Sequence, residues 1–406
     1  MNLNNEKTRT CDVVIVGAGI MGLAIARSLK ALNPRLKIAI IEKEGHIGLH
    51  ASGRNSGVLH AGFYYSPESL KAQFCRDGNY AMKTLAKRHK VEIKQVGKVV
   101  VAQNEDELSR MHALYERGVA NGVKLELFDA SEIGKYEPLA KTYKKFLWSP
   151  TTSIVDKEGI LNALHGELKI AGVEFLFNQK FTNSDHATIS TGDHKIRYKH
   201  LINASGGGAI SIAHKMGFGL NYEMIPFLGV YRGTKLHNLP IRRLVYPVPH
   251  PFNPFLGTHF TITTDGLVKI GPTAQPVIFS EQYKVLEGWN LHELVNSSRA
   301  MRSYLQHNFK NVSSLIRTEL PQLFESALVR KSSKLVPSAR NVEIWERKPS
   351  GIRAQLLRSD TRVLEQDFVV EGDSASTHLL NVVSPGWTSS IPFADWVVKT
   401  YVSKHL

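Results

Sequence analysis

The sequence predicts an α/β fold in which a Rossmann-like dinucleotide-binding domain is discontinuous and an α+β domain on a mostly antiparallel sheet is inserted into it. Three observations support this prediction. An apolar run at 13–16 leads into a glycine turn and a helical pattern, as in a buried parallel strand followed by its crossover helix. Short β-type runs separated by Pro and Gly occupy 225–276. A strand, a turn of small residues and a closing helix recur at 378–405, so the chain ends in the domain where it began.

The first element is the glycine turn, which has the spacing G-x-G-x-x-G. Gly17 allows a tight turn, Gly19 lets a pyrophosphate approach backbone N–H groups, and Gly22 lets helix and strand pack closely. Glu42 ends the second apolar run, where an acid binds a ribose hydroxyl. The turn therefore predicts a dinucleotide site. Its predicted contacts are Gly17, Gly19, Ile20, Met21, Gly22, Glu42 and Lys43.

A loop rich in glycine and small polar residues follows at 45–57. Such a loop exposes backbone groups that can bond to phosphate or to the polar edge of a ring. His60 comes directly after it, between small and apolar neighbours. This histidine is interpreted either as a catalytic residue or as a buried residue of the core.

The middle of the chain alternates helical and strand patterns. Helices are predicted over 69–90, 105–121 and 156–171, and strands over 96–102, 173–177 and 198–203. The segment 282–340 is predicted to be helical and basic. Within it, apolar residues recur at i, i+3, i+4, i+7 and i+8, at Leu320, Leu323, Phe324, Ala327 and Leu328. This spacing predicts one helix face that packs on the core or, alternatively, one that contacts a membrane.

Composition narrows the class of protein. The chain has 406 residues, which predicts about two domains, and its two cysteines, Cys11 and Cys75, have no metal or redox spacing. A secretory signal and a long apolar span are both missing from the sequence, which predicts a cytoplasmic location. The formal net charge of +15 suits anionic metabolites or peripheral attachment to the inner face of the cell membrane, whereas no nucleic-acid motif is present and no such partner is expected.

The glycine turn alone serves NAD or FAD equally well. The glycine-serine loop after Glu42 and the C-terminal return to the same site favour a flavin, whose ring lies far from the adenine and is held along its length. On these and longer motifs the sequence resembles the L-2-hydroxyglutarate oxidases and dehydrogenases, within the D-amino-acid-oxidase-type superfamily. The resembling segments are 50–65, 69–78, 246–249, 254–261, 265–266, 271–272, 351–355 and 367–368.

The resemblance implies FAD as cofactor and oxidation of an L-2-hydroxy acid, with hydride passing from Cα to flavin N5. It implies an FAD-binding domain of 1–90, 150–215 and 345–406 and a substrate-binding domain of 91–149 and 216–344. His60 or His259 is then the base, Arg353 clamps a carboxylate, and Tyr65 and Tyr246 donate hydroxyl groups to the substrate. Further FAD contacts are expected at Ser52, Arg54, Asn55, Ser56, Gly57, Ala204, Gly206, Gly386, Thr388 and Ser389.

The chain departs from the usual pattern of this family at three places: His250, the turn Gly206–Gly208, and the stretch 381–388. The last two lie near the expected flavin. The resemblance therefore constrains the reaction class more than the identity of the substrate. Amino-acid or amine oxidases and glycerol-3-phosphate dehydrogenases of the same superfamily are the alternative functions. A non-catalytic flavin-binding or RNA-surface protein is a further alternative. The electron acceptor is O₂ or a membrane quinone.

Overall fold

The structure is a computed structural model. It describes residues 8–185, 187–192, 194–250, 256–284, 288–308, 317 and 319–406. Pro254 and Phe255, which begin one of the resembling segments, lie outside the described residues, as do parts of the predicted helical segment 282–340.

A six-stranded sheet forms the centre of the dinucleotide-binding part. Five of its strands are parallel, and the edge strand at 370–372 is antiparallel. The strands that carry the long apolar runs are buried along their whole length, as expected for a parallel sheet covered on both faces. In spatial order the strands are Glu174–Leu176, Ile38–Ile41, Val13–Val16, His200–Asn203, Ser376–Leu379 and Val370–Gly372.

Helices pack on the two large sheets, and several of them begin at a side chain that caps the first turn. The hydroxyl of Ser69 and the carboxylate of Asp156 accept backbone N–H groups of the first turn of their helices, and Asn104 does the same for a third helix. Gly122, with a φ of 69°, follows the end of that third helix. The α-helices whose bounds lie within the described residues are Ile20–Leu32, Leu70–Arg88, Glu105–Ala120, Ile133–Tyr136, Lys157–Ile170, Ala209–Lys215, Leu291–His307, Glu325–Ser332 and Gly386–Val397.

A nine-stranded, mostly antiparallel sheet forms the second part of the fold. Its one parallel pair joins the strands at 98–101 and 244–247. The long strand at 222–235 pairs on one edge with 275–276 and 267–271 and on the other with 346–358. The strands are Gln275–Pro276, Tyr222–Lys235, Leu267–Gly271, His259–Ile262, Leu244–Pro247, Lys98–Val101, Lys145–Ser149 and Glu126–Asp129, with Glu346–Arg358 beside the second of them.

Two smaller sheets complete the fold. The four-stranded one contains Thr8–Thr10, Lys195–Arg197, Thr188–Ser190 and Asn183–Ser184, and the three-stranded one contains Val58–Leu59, Ser153–Val155 and Ile93–Lys94. The predicted α/β class with a mostly antiparallel second sheet is confirmed. The domain boundaries stay a prediction.

The predicted core-facing stripe at 320–328 is wrong. Leu320, Leu323 and Phe324 are 56%, 50% and 72% exposed, and only Leu328 of the five is buried. The reason is a break in the helix: a short 3₁₀ turn ends at Leu323, Phe324 is extended, and the α-helix starts at Glu325. Helical spacing places residues on one face only when a single helix carries them.

Within the described residues, none of the helices combines the length and the apolar character needed to cross a membrane.

Candidate active site

A cavity of about 1190 Å³ lies between the two large sheets. Val16, Ile41 and Ala204 line it from the carboxyl ends of parallel strands or directly after them, and Tyr246 and Arg353 line it from the antiparallel sheet. Ligands of open α/β sheets bind in this position, outside the carboxyl ends of the strands. The cavity is large enough for an extended cofactor together with a small substrate.

The glycine turn forms one end of the cavity and has no room for side chains. Gly17 has a φ of 107°, and a Cβ on it would lie 2.7 Å from the carbonyl oxygen of Ala204. A Cβ on Gly22 would overlap the carbonyl oxygen of Gly17. The helix that starts at Ile20 has no side-chain cap at Gly19, and the Ile20 N–H is met by the Ser52 hydroxyl at 2.9 Å. This turn fits a pyrophosphate, which binds at such helix N-termini.

Glu42 faces the same end of the cavity and is held by the backbone. One of its carboxylate oxygens accepts the Ala18 N–H at 2.8 Å, and the other accepts the Glu44 N–H at 3.0 Å. Lys43 also lines the cavity, but its ammonium is engaged by Glu44 at 2.6 Å and by Glu281 at 2.7 Å. Glu42 therefore lies at the nucleotide end of the cavity, and its contact with a ribose stays a prediction, whereas Lys43 is oriented by these two acids.

The loop after Glu42 connects the nucleotide end to the antiparallel sheet. Asn55 accepts the Gly57 N–H at 2.8 Å and donates to the Ser52 carbonyl at 2.6 Å, which fixes the turn. A Cβ on Gly351 would lie 2.7 Å from the carbonyl oxygen of Arg54. Because Gly351 leaves this room, the strand that carries Arg353 packs directly on the loop.

Most of the predicted site residues share this one cavity. Those that line it are Gly17, Gly19, Ile20, Met21, Glu42, Lys43, Ser52, Arg54, Asn55, Ser56, His60, Tyr65, Ala204, Gly206, Tyr246, His259, Arg353, Gly386 and Thr388. Gly22, Gly57 and Ser389 do not line it: Gly22 packs on Gly17, Gly57 shapes the loop, and Ser389 is buried against Gly78. The FAD and substrate roles of the individual residues stay predictions.

His259 is held in one orientation and one tautomer. Its Nδ1 lies 2.7 Å from the carbonyl oxygen of Gly257, and its ring stacks on Tyr246 at 3.7 Å between centroids. Because a carbonyl only accepts hydrogen bonds, Nδ1 carries the proton and Nε2 keeps its lone pair. Burial lowers the pKa of His259 to about 3, with Lys98 and Arg353 adding to the effect. The imidazole is therefore neutral at physiological pH.

His60 faces the same cavity from the other side of the fold. Its backbone N–H donates to the Thr388 hydroxyl at 3.2 Å, and its Nδ1 is buried without a hydrogen bond among the described residues. Burial, and after it the charge of Lys98, keep the pKa of His60 well below its usual value. Both candidate bases are thus neutral imidazoles, and only His259 has its tautomer fixed by the backbone.

Lys98 is a buried cation behind these residues that the sequence analysis missed. Its side chain is fully buried, and its ammonium lies 4.0 Å from the ring centroid of Tyr246 and 5.0 Å from that of Tyr64. No hydrogen bond reaches Nζ from any residue that the structure describes. Burial lowers the pKa of Lys98 to about 7. A lysine inside an apolar strand, Lys98-Val-Val-Val, was the available signal.

Lys98→Met should stabilise the protein at pH 7. Replacing a buried, unpaired charge by an apolar side chain of similar length typically gains about 1–4 kcal/mol. Because the pKa is lowered in the folded state, Lys98 destabilises the fold fully below about pH 7, and this penalty fades as pH rises towards 10.5, the value for an unperturbed lysine. Thermal unfolding should therefore show a higher Tm for Lys98→Met at pH 7, with the difference shrinking at pH 9.5.

The matched control for this variant is Lys94→Met, on the surface strand Ile93–Lys94. Substitution at such an exposed position changes stability by about 0.5 kcal/mol or less. If the Tm of Lys98→Met at pH 7 is equal to or below that of the unsubstituted protein, burial of the Lys98 ammonium does not lower the stability of the fold.

The fold, the glycine turn and the cavity together define a class of protein, and sequence comparison identifies the same class. The family model for FAD-dependent oxidoreductases matches residues 12–400, so the chain is an FAD-dependent oxidoreductase. The chain belongs to the L-2-hydroxyglutarate dehydrogenase family within this class, and it acts on a CH–OH donor. The resemblance inferred from the motifs, and FAD as the cofactor, are confirmed.

The relatives extend over nearly the whole chain. The L-2-hydroxyglutarate dehydrogenase of Escherichia coli (strain K12) is 33% identical over 399 residues, covering 95% of this chain and 92% of that protein. The mitochondrial L-2-hydroxyglutarate dehydrogenase of Homo sapiens is 32% identical over 418 residues, covering 97% and 89%.

Two solved structures show the same fold at lower identity. The FAD-bound, dithionite-reduced L-α-glycerophosphate oxidase from Mycoplasma pneumoniae matches with a TM-score of 0.75 and 22% identity, covering 96% of this chain and 94% of that one. Glycine oxidase from Geobacillus kaustophilus matches with a TM-score of 0.72 and 18% identity, covering 98% and 96%.

Proposed function

We propose that this protein oxidises L-2-hydroxyglutarate to 2-oxoglutarate. The observation that carries the proposal is the pairing, in one cavity, of a guanidinium at Arg353 with a neutral, tautomer-fixed imidazole at His259. An α-hydroxy acid needs both groups, one to hold its carboxylate and one to take its hydroxyl proton. Relatives named L-2-hydroxyglutarate dehydrogenase at about one-third identity supply the substrate hypothesis.

The glycine turn and the loop at 52–57 would hold FAD, and when bound it would supply the acceptor for the hydride that leaves the substrate's Cα. Arg353 binds the carboxylate next to Cα and so fixes which hydrogen points towards that acceptor. His259 Nε2 takes the hydroxyl proton as the carbonyl forms. Tyr65 and Tyr246 line the same cavity and position the hydroxyl.

Steady-state assays of the FAD-loaded protein distinguish the alternatives within the superfamily. L-2-hydroxyglutarate should be oxidised with a kcat/KM at least about 100-fold above those for D- and L-amino acids and for glycerol-3-phosphate. An amino acid has an amino group in place of the hydroxyl that His259 would deprotonate, and glycerol-3-phosphate has no carboxylate for Arg353 to bind. A preference for an amino acid or for glycerol-3-phosphate would replace the proposed substrate.

Peripheral membrane attachment is the second part of the proposal, and it bears on the electron acceptor. Leu320, Leu323 and Phe324 are exposed close together along the chain, and Phe324 borders a groove whose charged lining is Arg330, Arg340 and one acid, Glu325. Apolar residues beside basic ones favour binding to the surface of an anionic bilayer. At a membrane a quinone would accept the electrons, and O₂ is the alternative acceptor. Comparing the rates at which a soluble quinone and O₂ reoxidise the reduced protein distinguishes the two.

Phe324→Ser should weaken binding to vesicles that contain phosphatidylglycerol, measured by sedimentation. The unsubstituted protein should pellet with the vesicles at about 0.01 M ionic strength and much less at about 1 M, because salt screens the basic side chains. Leu291→Ser, which changes an equally exposed apolar residue elsewhere, is the control and should sediment normally. Unsubstituted protein that stays in the supernatant at low salt would refute the attachment.

A further inference from the structure

Lys71 is a nearly buried cation that lines the active-site cavity. It is the second residue of the helix Leu70–Arg88, is only 5% exposed and lines the cavity. Among the described residues its ammonium makes neither a hydrogen bond nor an ion pair, and it lies over the ring of Phe368, 5.6 Å from Nζ to the centroid. A nearly buried lysine that no acid pairs with directly costs free energy, so this position suits an anionic ligand.

The acids closest to Lys71 are committed elsewhere. Both carboxylate oxygens of Asp367 accept backbone N–H groups at the start of the helix, from Leu70 at 2.8 Å and from Lys71 itself at 3.0 Å. Glu365 accepts the backbone N–H of Gln366 at 2.8 Å. Burial lowers the pKa of Lys71 to about 8, against the opposing effect of these two acids, so the side chain is still mostly a cation at neutral pH.

The helix gives no local reason for this lysine. A cation in the first turn faces the positive end of the helix dipole, which is an unfavourable place for it. Lysines on the outward face of the same helix, such as Lys87, are exposed instead. The position is therefore better explained by what enters the cavity than by stabilisation of the fold.

Lys71 and Arg353 line the same cavity, and residues near Arg353 in sequence line it as well. Gln355 lies two residues after Arg353 on the same strand and so on the same face, and its side-chain amide donates to the Glu365 carbonyl at 2.6 Å. Glu365 and Gln366 line the cavity together with Lys71. The cavity is thus lined by the Arg353 guanidinium, the Lys71 ammonium and the side-chain amide of Gln355.

We propose that Lys71 binds the distal carboxylate of a dicarboxylic 2-hydroxy acid whose first carboxylate is held by Arg353, and that it thereby selects dicarboxylates over monocarboxylates. This inference rests on the proposed function. Lys98 is a less suitable partner for that carboxylate, because its ammonium is sealed beneath aromatic rings and does not line the cavity.

The test compares L-2-hydroxyglutarate with L-2-hydroxyvalerate, which has a methyl group in place of the distal carboxylate. In the FAD-loaded protein, Lys71→Met should lower kcat/KM for L-2-hydroxyglutarate by about 100-fold, mainly through KM, because a buried charge pair loses one partner. The same variant should leave kcat/KM for L-2-hydroxyvalerate within about 3-fold. Lys71→Arg should retain most of the preference for the dicarboxylate, and Lys87→Met is the control for loss of a charge from the same helix.

Several outcomes would overturn the inference. Equal losses of kcat/KM with both substrates would show that Lys71 does not recognise the distal carboxylate. Weakened FAD binding with an unchanged ratio of the two kcat/KM values would show that Lys71 contacts the cofactor instead. If the unsubstituted protein oxidises L-2-hydroxyglutarate and Lys71→Met keeps the same ratio, the inference fails while the proposed function stands. If the unsubstituted protein does not oxidise L-2-hydroxyglutarate, the proposed function fails and the inference falls with it.

Discussion

Arg353→Ala should lower kcat/KM for L-2-hydroxyglutarate by about 1,000-fold while FAD binds normally. Arg353 lies on the strand Glu346–Arg358 and lines the cavity, whereas the nucleotide end is built around Gly17 and Glu42. Loss of one partner from a desolvated charge pair costs about 2–5 kcal/mol, and misplacement of Cα adds to that loss. Steady-state kinetics and FAD titration of the same preparation measure the two quantities separately.

Two further variants define what the guanidinium contributes. Arg353→Lys keeps the charge but loses the two-pronged geometry, so its kcat/KM should lie between those of the alanine variant and the unsubstituted protein. Arg347→Ala removes an exposed arginine from the same strand and should have kinetics close to normal. Unchanged substrate KM in Arg353→Ala would exclude Arg353 as the carboxylate clamp.

His259→Gln should lower kcat by about 1,000-fold with a much smaller change in KM, because a general base acts in the transition state. His60→Gln should cost less, since only the tautomer of His259 is fixed by the backbone, through Gly257. A larger loss of kcat in His60→Gln than in His259→Gln would assign the proton transfer to His60.

The pH dependence provides an independent test of this base. A lowered pKa keeps His259 neutral in the free protein, so kcat/KM should show no acid limb from His259 until the pH falls towards 3. A bound dicarboxylate offsets the charges of Lys98 and Arg353 and raises the pKa of His259, so the acid limb of kcat should lie at higher pH than that of kcat/KM. Lys98→Met should raise the pKa in the free protein as well, because it removes one of the cations that lower it.

Local patterns were sufficient to predict the geometry of the glycine turn. The tight turn at Gly17, the close packing at Gly22 and the acid at Glu42 depend on residues within one strand–turn–helix–strand unit. The α/β class and the mostly antiparallel second sheet followed from the same kind of periodicity, which reports on burial within single elements.

The substrate end could not be predicted to the same depth, because its properties arise where distant segments meet. Lys98 becomes a buried cation only because aromatic rings from other segments, those of Tyr64 and Tyr246, cover it. In the sequence, Lys71 looks like any surface lysine of a helix. Its place in the cavity lining becomes visible only in the folded structure. The stripe at 320–328 failed for a related reason, since an extended Phe324 breaks the helix that the spacing assumed.

An anaerobic titration of the FAD-loaded protein with L-2-hydroxyglutarate, followed by the visible absorbance of the oxidised flavin, tests the proposed reaction directly. The account predicts that the absorbance bleaches fully as substrate is added and that 2-oxoglutarate forms in equal amount to the flavin reduced. A flavin that stays oxidised with L-2-hydroxyglutarate but bleaches with an amino acid or with glycerol-3-phosphate would contradict it.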